Sequence, residues 1–324
     1  MTSLPKPMGS IVITGATGRL GRAVCAAFHN AGYRVVAVAR RDTASVEVGE
    51  VLTAPSLDQI PAPSSPPLAV VHLAAETADE AAMFDTNVRG SQAILNWAVR
   101  HRAQHFIYMS SVVVYGSDCH GLVTPATARR PGNTYERTKA AAEEAVQRVG
   151  LSGALRVTVL QPSNVFGIGP RWSMPLLGLM RSISRRRFRY VGRDEAQFNY
   201  VEVRDVARSC VEVLRLEAHG RTFILNDPIP LPRVVEIVAL AAGVEPPRHR
   251  LPYAVAFTAA AALNGLAHAT RRPVPLDLGR LRALTSRAVY DGSDIEATLG
   301  FRYSIGTERG IRELAHHYRD RSLL

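Results

Sequence analysis

The chain of 324 residues is long enough for one large domain or two smaller ones with a buried core. Its 47% hydrophobic and 21% charged residues exclude a disordered, collagen-like or coiled-coil protein. The net charge of +11 indicates an anionic partner, and a nucleotide would satisfy it. We expect no nucleic acid partner, because the densest basic run, residues 184–189, is short.

Strands and helices alternate along the first half of the chain. β-branched and apolar runs predict strands at 9–14, 33–39, 69–73, 106–110 and 157–161, with a further strand segment at 49–52. Helical patterns lie between them, at about 20–31, 85–102 and 135–149. This alternation predicts an α/β fold with a doubly wound parallel (Rossmann) sheet and a smaller C-terminal substrate-binding lobe.

Three cysteines, Cys25, Cys119 and Cys210, lie far apart without a metal-ligand spacing, and we expect no metal site. Such thiols, together with a short polar N-terminus that lacks an apolar signal region, predict a cytoplasmic protein. The alanine-rich stretch 251–266 is the best membrane candidate. It contains a proline and falls short of the ~20 apolar residues that a span needs, so it reads as a partly buried helix.

A glycine-rich turn connects the first predicted strand to the first predicted helix. Its glycines, Gly15, Gly18 and Gly21, have a GxxGxxG spacing. The first allows a tight turn, the second a close approach to a pyrophosphate, and the third close packing of helix and strand. The turn therefore predicts a dinucleotide site, whose domain would comprise 1–165 with about 197–227, leaving 166–196 and 228–324 for the lobe.

The end of the second strand bears on which dinucleotide binds. An acidic residue there holds the ribose hydroxyls of NAD, whereas this chain has Arg40 and Arg41. Arginines suit the 2′-phosphate of NADP, and Arg19 in the glycine turn could assist them. We therefore favour NADP over NAD.

The sequence Tyr135-Glu136-Arg137-Thr138-Lys139 opens a predicted helix, where a spacing of four residues sets both ends of the motif on one face. A nearby ammonium favours the phenolate of a tyrosine and lowers its pKa. Only two of the 39 basic residues are lysines, and Lys139 is the one beyond the N-terminal tail. A compact ammonium is therefore expected to be required at this position.

These motifs, with Tyr108 to Gly116 after the fifth strand, resemble the extended short-chain dehydrogenases/reductases, the NAD-dependent epimerase/dehydratase family. Further similar segments are 72–75, 87–90, 162–167, 200–207 and 299–303. The resemblance implies hydride transfer, with Ser111, Tyr135 and Lys139 as catalytic residues and a homodimer as the assembly. It also implies cofactor contacts at Gly15, Thr17, Gly18, Arg19, Leu20, Gly21, Arg40, Arg41, Leu73, Ala74, Ala75, Asn87, Tyr135, Lys139, Pro162 and Asn164.

Two substrate classes remain open at this point. A nucleotide sugar, epimerised or reduced at C4, fits the net charge and the arginine-rich segment 185–193, with Ser111, Asn164, Arg187 and Tyr200 as substrate residues. Phe188 and Tyr190 could then flank the base. A lipophilic alcohol, as in the 3β-hydroxysteroid dehydrogenases, fits the run 197–200, which lacks the phosphate-binding arginine that relatives often carry. For a nucleotide sugar, Arg171, Arg187 or Arg193 could serve in place of that arginine. A non-catalytic dinucleotide sensor is a third reading, disfavoured because it would not need the serine, tyrosine and lysine together.

Overall fold

The computed structural model describes residues 9–40, 49–116, 119–169, 174–192, 196–270 and 278–324. The described strands are β1 (Ser10–Thr14), β2 (Arg34–Ala39), β3 (Glu50–Thr53), β4 (Ala69–His72), β5 (His105–Met109), β6 (Leu122–Val123), β7 (Arg156–Pro162), β8 (Asn164–Phe166), β9 (Tyr190–Val191), β10 (Gln197–Phe198), β11 (Tyr200–Glu202), β12 (Arg221–Leu225), β13 (Ile229–Pro230), β14 (Arg250–Leu251) and β15 (Val289–Tyr290).

The described helices are α1 (Arg19–Asn30), α2 (Glu80–Met83), α3 (Gly90–Arg100), α4 (Thr134–Leu151), α5 (Met174–Ser184), α6 (Val203–Arg215), α7 (Leu231–Ala242), α8 (Tyr253–Thr270), α9 (Leu278–Thr285), α10 (Ser293–Leu299) and α11 (Gly306–Asp320). A π-helical turn covers Phe84–Arg89 and a 3₁₀ turn covers Val112–Tyr115.

The central sheet has seven parallel strands in the order β3-β2-β1-β4-β5-β7-β12. Ile11, Val12 and Ile13 of β1 are fully buried, as expected for a parallel sheet with helices on both faces. Helices α1 and α6 pack on one face, and α3 and α4 pack on the other. The predicted doubly wound α/β sheet is confirmed.

A second apolar cluster is built mainly by α5, α7 and α11. It is tied to the sheet by Asp205 of α6, whose buried carboxylate accepts hydrogen bonds from the backbone N–H groups of Ser304, Ile305 and Gly306 at 2.9, 3.1 and 2.9 Å. Since Gly306 opens α11, this carboxylate fixes the start of that helix. The residue limits that the sequence predicts for the two domains stay a prediction.

Two segments differ from the predicted elements. The helix expected at 85–102 is divided into the π-helical turn and α3, a local widening often found at functional sites. The helix expected at 251–266 is present as α8, but in residues 251–265 burial is limited to Ala256 and Ala260. No described helix combines the length and apolar character needed to cross a bilayer.

Candidate active site

The glycine turn after β1 is shaped for close backbone contacts. Gly15 has φ +68°, and a Cβ atom there would lie 2.8 Å from the backbone nitrogen of Ala74. A Cβ on Gly21 would lie 2.7 Å from the Cα of Ala16, so α1 could not approach the turn as closely. Both glycines are therefore required by the local geometry, in the roles that the sequence predicts.

The N-terminus of α1 opens toward this turn. Gly18 is the N-cap residue, so no side chain caps the helix, and the first turn of this fully described helix has no acidic residue. Thr17, Arg19 and Leu20 lie in the same turn and are half-buried or exposed. A helix N-terminus with this character favours an anion. The residues present therefore fit the pyrophosphate of a dinucleotide.

The segment that follows β4 packs against the glycine turn, since Leu73 and Ala74 lie beside Gly15. The hydroxyl of Thr14 accepts hydrogen bonds from the backbone N–H groups of Leu73 at 3.3 Å and Ala74 at 3.4 Å. It also lies 2.6 Å from Nδ1 of the buried His72, whose Nε2 is 2.9 Å from the hydroxyl of Ser91. Burial and the charge of Lys139 lower the pKa of His72 to about 3, so the ring is neutral and serves as a structural bridge.

Asn87 holds the loop that follows this segment. Its buried amide accepts from the backbone N–H of Glu76 at 2.7 Å and donates to the Glu76 carbonyl at 2.9 Å. It also donates to the hydroxyl of Thr138 on α4 at 3.1 Å. These bonds place Asn87 beside Ala74 and Ala75 as a support of the loop, and its direct contact with a cofactor stays a prediction.

Arg40 is exposed at the end of β2. Hydrogen bonds from the backbone of Ala78 and Asp79, and to a smaller extent the charge of Arg40, lower the pKa of Glu76. Arg40 is therefore close to the loop after β4, at the same sheet edge as the glycine turn. Arg41 lies outside the described residues.

The start of α4 is fixed by a capping box. The side chain of Asn133 accepts from the backbone N–H of Glu136 at 2.9 Å, and Glu136 accepts in return from the backbone N–H of Asn133 at 3.4 Å. This reciprocal pair satisfies two helix-end donors. It places Tyr135 and Lys139 in the first turns of the helix, on one face.

Lys139 connects α4 to the end of β5. Its Nζ donates to the carbonyl of Met109 at 2.7 Å and lies 4.5 Å from the centre of the Tyr108 ring. The side chain is 3% exposed. Burial lowers the pKa of Lys139 to about 8, and the charge of Glu143 opposes that shift. The lysine thus remains mostly protonated at neutral pH, with two further N–H donors.

Tyr135 is half-buried, and burial raises the pKa of its phenol. The sequence predicts the opposite direction, a depression by the lysine together with a positively charged nicotinamide ring. The physical reason for the difference is that the Lys139 ammonium is directed at the Met109 carbonyl, while the phenol loses hydration. The phenol therefore keeps its proton at neutral pH, which is the form required of an acid.

Ser111 is the second residue after β5 and caps the 3₁₀ turn. Its hydroxyl donates to the carbonyl of Pro162, the buried last residue of β7, at 3.4 Å and accepts from the backbone N–H of Val113 at 3.4 Å. Both bonds are long and therefore weak, so this hydroxyl can turn toward a reacting oxygen. Ser111, Tyr135 and Lys139 thus lie where β5 ends and α4 begins.

A buried carboxylate network behind the lysine was missed from the sequence. Glu143 is fully buried one turn after Lys139, and it accepts from the hydroxyl of Ser110 at 2.5 Å. It also accepts from the amide of Gln161 at 2.9 and 3.0 Å and pairs with Arg129. The spacing of four residues from Lys139 was the only signal available, since the partners come from separate elements.

The expected substrate residues are spread over the lobe side of the sheet. Asn164 is exposed and donates to the carbonyl of Asn199 at 3.1 Å. The half-buried Tyr200 stacks on the buried Phe198, with ring centres 3.8 Å apart. Arg187 is exposed in the turn after α5, while Arg171 and Arg193, the alternatives for a phosphate grip, lie outside the described residues.

The aromatic pair in that turn does not form an open slot for a base. Phe188 is 5% exposed, and its ring packs edge-on against Tyr190 with ring centres 5.1 Å apart. The guanidinium of Arg250 lies 5.5 Å from the centre of the Tyr190 ring. Phe188 is thus a core residue of the lobe.

The sheet order, the glycine turn and the Ser-Tyr-Lys set are those of a Rossmann fold of the extended short-chain dehydrogenase/reductase type. A family model for the NAD dependent epimerase/dehydratase family matches residues 11–225. The chain belongs to this family.

Curated relatives include enzymes of different substrate classes. The chain is 25% identical to 3beta-hydroxysteroid-dehydrogenase/decarboxylase isoform 2 of Arabidopsis thaliana, over 71% of this chain and 44% of the relative. It is 27% identical to UDP-glucose 4-epimerase of Rhizobium meliloti, over 49% of this chain and 52% of the relative. It thus spans about half the length of both. It is also 23% identical to 2-alkyl-3-oxoalkanoate reductase of Shewanella oneidensis, over 97% of this chain and 87% of the relative.

The fold is also that of solved structures. The structure of MoeE5 in complex with UDP-glucose and NAD superimposes with a TM-score of 0.70, covering 98% of this chain and 100% of the other. The two sequences are 22% identical, so this likeness concerns the fold alone.

Proposed function

We propose that this protein is an NADP(H)-dependent oxidoreductase that interconverts a ketone and a secondary alcohol. The observation that carries the proposal is the position of the half-buried Tyr135 one helical turn before the buried Lys139, whose ammonium is bonded to the carbonyl of the last residue of β5. When bound, the cofactor supplies or accepts the hydride.

The residues have distinct roles in ketone reduction. Tyr135 donates its proton to the oxygen that becomes the hydroxyl group, and Ser111 orients that oxygen through a hydrogen bond. Lys139 uses one N–H on Met109 and has two left for the ribose hydroxyls of the nicotinamide half.

The preference for NADP over NAD rests on the second strand. Arg40 is exposed at the edge where an acidic residue would hold NAD, and Arg41 follows it in the sequence. An arginine pair supplies several N–H donors to a 2′-phosphate, with Arg19 on the other side of the turn. A reductase also consumes its cofactor, in agreement with this preference.

For the substrate we favour a lipophilic ketone or alcohol. Phe198 lies in the run where relatives often carry a phosphate-binding arginine, and its stacking on Tyr200 gives that wall an aromatic character. The burial of Phe188 removes one side of the slot expected for a base. The relative that matches over 97% of the chain is a 2-alkyl-3-oxoalkanoate reductase, and the plant relative is a 3beta-hydroxysteroid-dehydrogenase/decarboxylase.

A nucleotide sugar, epimerised or reduced at C4, is the second candidate. The net charge of +11 and the likeness to a UDP-glucose 4-epimerase favour it. Arg187 would then reach the diphosphate, with Asn164 at the pocket entrance. Assembly as a homodimer and a cytoplasmic location remain predictions under either candidate.

Thermal unfolding with saturating NADPH separates the two classes. UDP, dTDP and GDP are added in turn, and then an alkyl ketone and a steroid ketone. A ligand at about 100 times its Kd adds about 2.7 kcal/mol to the free energy of unfolding, which raises Tm by a few degrees. We expect the shift with a ketone, followed by ketone-dependent oxidation of NADPH. A shift with one nucleotide alone would instead establish the nucleotide sugar and identify its base.

A further inference from the structure

Helix α8 presents a wide apolar face that no described residue covers. In residues 251–265 only Ala256 and Ala260 are buried, in a small cluster with Val191 and Leu281. The side chains of Tyr253, Val255 and Phe257 are 51%, 55% and 47% exposed. A helix that is apolar on all sides is normally buried, and an exposed apolar patch marks a surface that binds something.

A basic cluster lies beside the start of this helix. Strands β9 and β14 pair in parallel, and the backbone N–H of Tyr190 donates to the carbonyl of His249 at 3.0 Å. The residues that precede the two strands therefore lie at the same end of the pair. They include exposed arginines, which we call the basic cluster: Arg185, Arg186, Arg187, Arg189 and Arg248.

The two stretches that carry these arginines and α8 have no acidic residue of their own, and the nearest acidic residues along the chain are Glu245 and those at 194–195. The sequence has no aspartate or glutamate in residues 174–192 or 246–270. Helix α8 begins two residues after β14 ends. Arg248 of the basic cluster and Tyr253 of the apolar face are therefore at most roughly 17 Å apart along the backbone. An anionic surface with an apolar interior matches both features at once.

We propose that α8 and the basic cluster form a docking surface for an anionic lipid bilayer. The helix would lie in the plane of the interface, with its apolar face at the boundary between headgroups and acyl chains. The arginines would bind lipid phosphates, for which a planar guanidinium is well suited. The helix would lie on the bilayer surface and would not span it. Its sequence is rich in alanine and Pro252 directly precedes it, and no described helix is long and apolar enough to cross a membrane.

A second copy of the chain fits this surface less well. A symmetric contact brings the same patch of both copies together, so the two basic clusters would face each other. Like charges in an interface are costly. The lipid phosphates provide the opposite charge that a second copy lacks.

The docking surface does not depend on which substrate class is correct. None of its residues except Arg187 belongs to the expected site, and the apolar face is on α8 alone. Docking would give a lipophilic substrate a short route from the bilayer, but lipid binding is measurable without turnover. A failure of the docking surface can thus be told apart from a failure of the proposed reaction.

The test is co-sedimentation of the full chain with vesicles of phosphatidylcholine alone, or of phosphatidylcholine mixed with an equal amount of phosphatidylglycerol. One variant is Tyr253→Ser with Phe257→Ser, and its control is Leu151→Ser, whose side chain is 89% exposed at the end of α4. The other is Arg185→Ser with Arg248→Ser, and its control is Arg100→Ser with Arg302→Ser, which removes equal charge from other surfaces. Thermal unfolding verifies that each variant is folded.

We expect binding to the mixed vesicles only, weakened by salt. The arginine variant should lose about fivefold in partition coefficient for each charge, and the aromatic variant at least about tenfold, with both controls unchanged. Absence of wild-type binding to either vesicle would overturn the proposal, as would equal losses in the controls. Dimerisation that the aromatic variant abolishes, without vesicle binding, would assign the surface to a second copy instead.

Discussion

The Nζ of Lys139 donates a hydrogen bond to the carbonyl oxygen of Met109 across 2.7 Å. This bond joins the first turns of α4 to the last residue of β5, and so it fixes the lysine at the sheet edge where Ser111 follows. Behind it, the fully buried Glu143 compensates a lysine that burial would otherwise deprotonate. The proposed site therefore depends on the charges of Lys139 and Glu143 along α4 as well as on Tyr135.

Glu143 is expected to act as a positioning residue through the charge of Lys139. Because the pKa of Lys139 is lowered to about 8, kcat/KM for reduction should fall as the pH rises through that value. Glu143→Gln removes the carboxylate that raises this pKa, so the alkaline limb should move to lower pH. A pH–rate profile measures the shift, and Glu144→Gln, at an exposed neighbour, should leave it in place. An unchanged limb in Glu143→Gln would contradict the coupling.

Two buried histidines should make the fold sensitive to acid. Burial lowers the pKa of His72 to about 3 and that of His105 to about 4, below the unfolded value near 6.5. Both are neutral when folded, so the stability they support is complete above pH ~6.5 and is lost as the pH falls toward these folded values.

Urea unfolding at two pH values measures this effect. Between pH 7 and pH 5 the free energy of unfolding should fall by about 2 kcal/mol for each histidine. His105→Gln, which can still bond to the Thr158 hydroxyl, should reduce the fall by that amount. The exposed His29→Gln serves as control. If both variants keep the full pH dependence, His105 does not contribute to it.

Gly15→Ala should remove both stability and cofactor binding. The new Cβ would lie 2.8 Å from the Ala74 nitrogen, and φ of +68° is unfavourable for alanine. We expect a loss of about 1–3 kcal/mol in unfolding free energy and at least tenfold weaker NADPH binding. Gly178→Ala in α5 meets nothing within 4 Å and should be neutral or stabilising by up to about 1 kcal/mol. Wild-type NADPH affinity in Gly15→Ala would refute the pyrophosphate site.

Arg40→Ala together with Arg41→Ala should weaken NADPH selectively. The loss of charge-assisted hydrogen bonds to a 2′-phosphate corresponds to about 1.5–3 kcal/mol for each bond, or at least tenfold in Kd. NADH, which has no such phosphate, should bind as before. Fluorescence titration of both cofactors gives the two constants, with Arg100→Ala as a control for general charge. Equal losses for NADPH and NADH would exclude the 2′-phosphate role.

The sequence predicts what depends on local pattern. The β-branched, apolar runs indicate strands that are buried in a parallel sheet. The glycine spacing at 15, 18 and 21 indicates a tight turn that only a narrow set of backbone angles allows. The partners of Glu143 could not be predicted, because Ser110, Gln161 and Arg129 meet only after β5, β7 and α4 pack together. The position of Arg187 depends on a turn in which its backbone N–H donates to the carbonyl of Ser182 at 2.7 Å, and such a turn leaves no periodic signal.

The direction of the Tyr135 pKa shows a further limit. A lysine four residues along a helix suggests an ammonium next to the phenol. Where that ammonium points is decided by the nearest carbonyl, Met109, which belongs to a strand some 30 residues earlier. Whether burial or the lysine charge dominates the pKa of Tyr135 could therefore be decided only from the packed structure.

The most direct test is the rate of NADPH oxidation with a ketone substrate, compared between the wild type and Tyr135→Phe. Loss of the phenol should lower kcat by about 10²–10⁴-fold and leave the Kd of NADPH within about twofold, because only proton transfer is removed. Tyr33 directly precedes β2, at the edge of the sheet opposite to the proposed site, so Tyr33→Phe should react like the wild type. Undiminished turnover in Tyr135→Phe would contradict the assignment of Tyr135 as the acid/base.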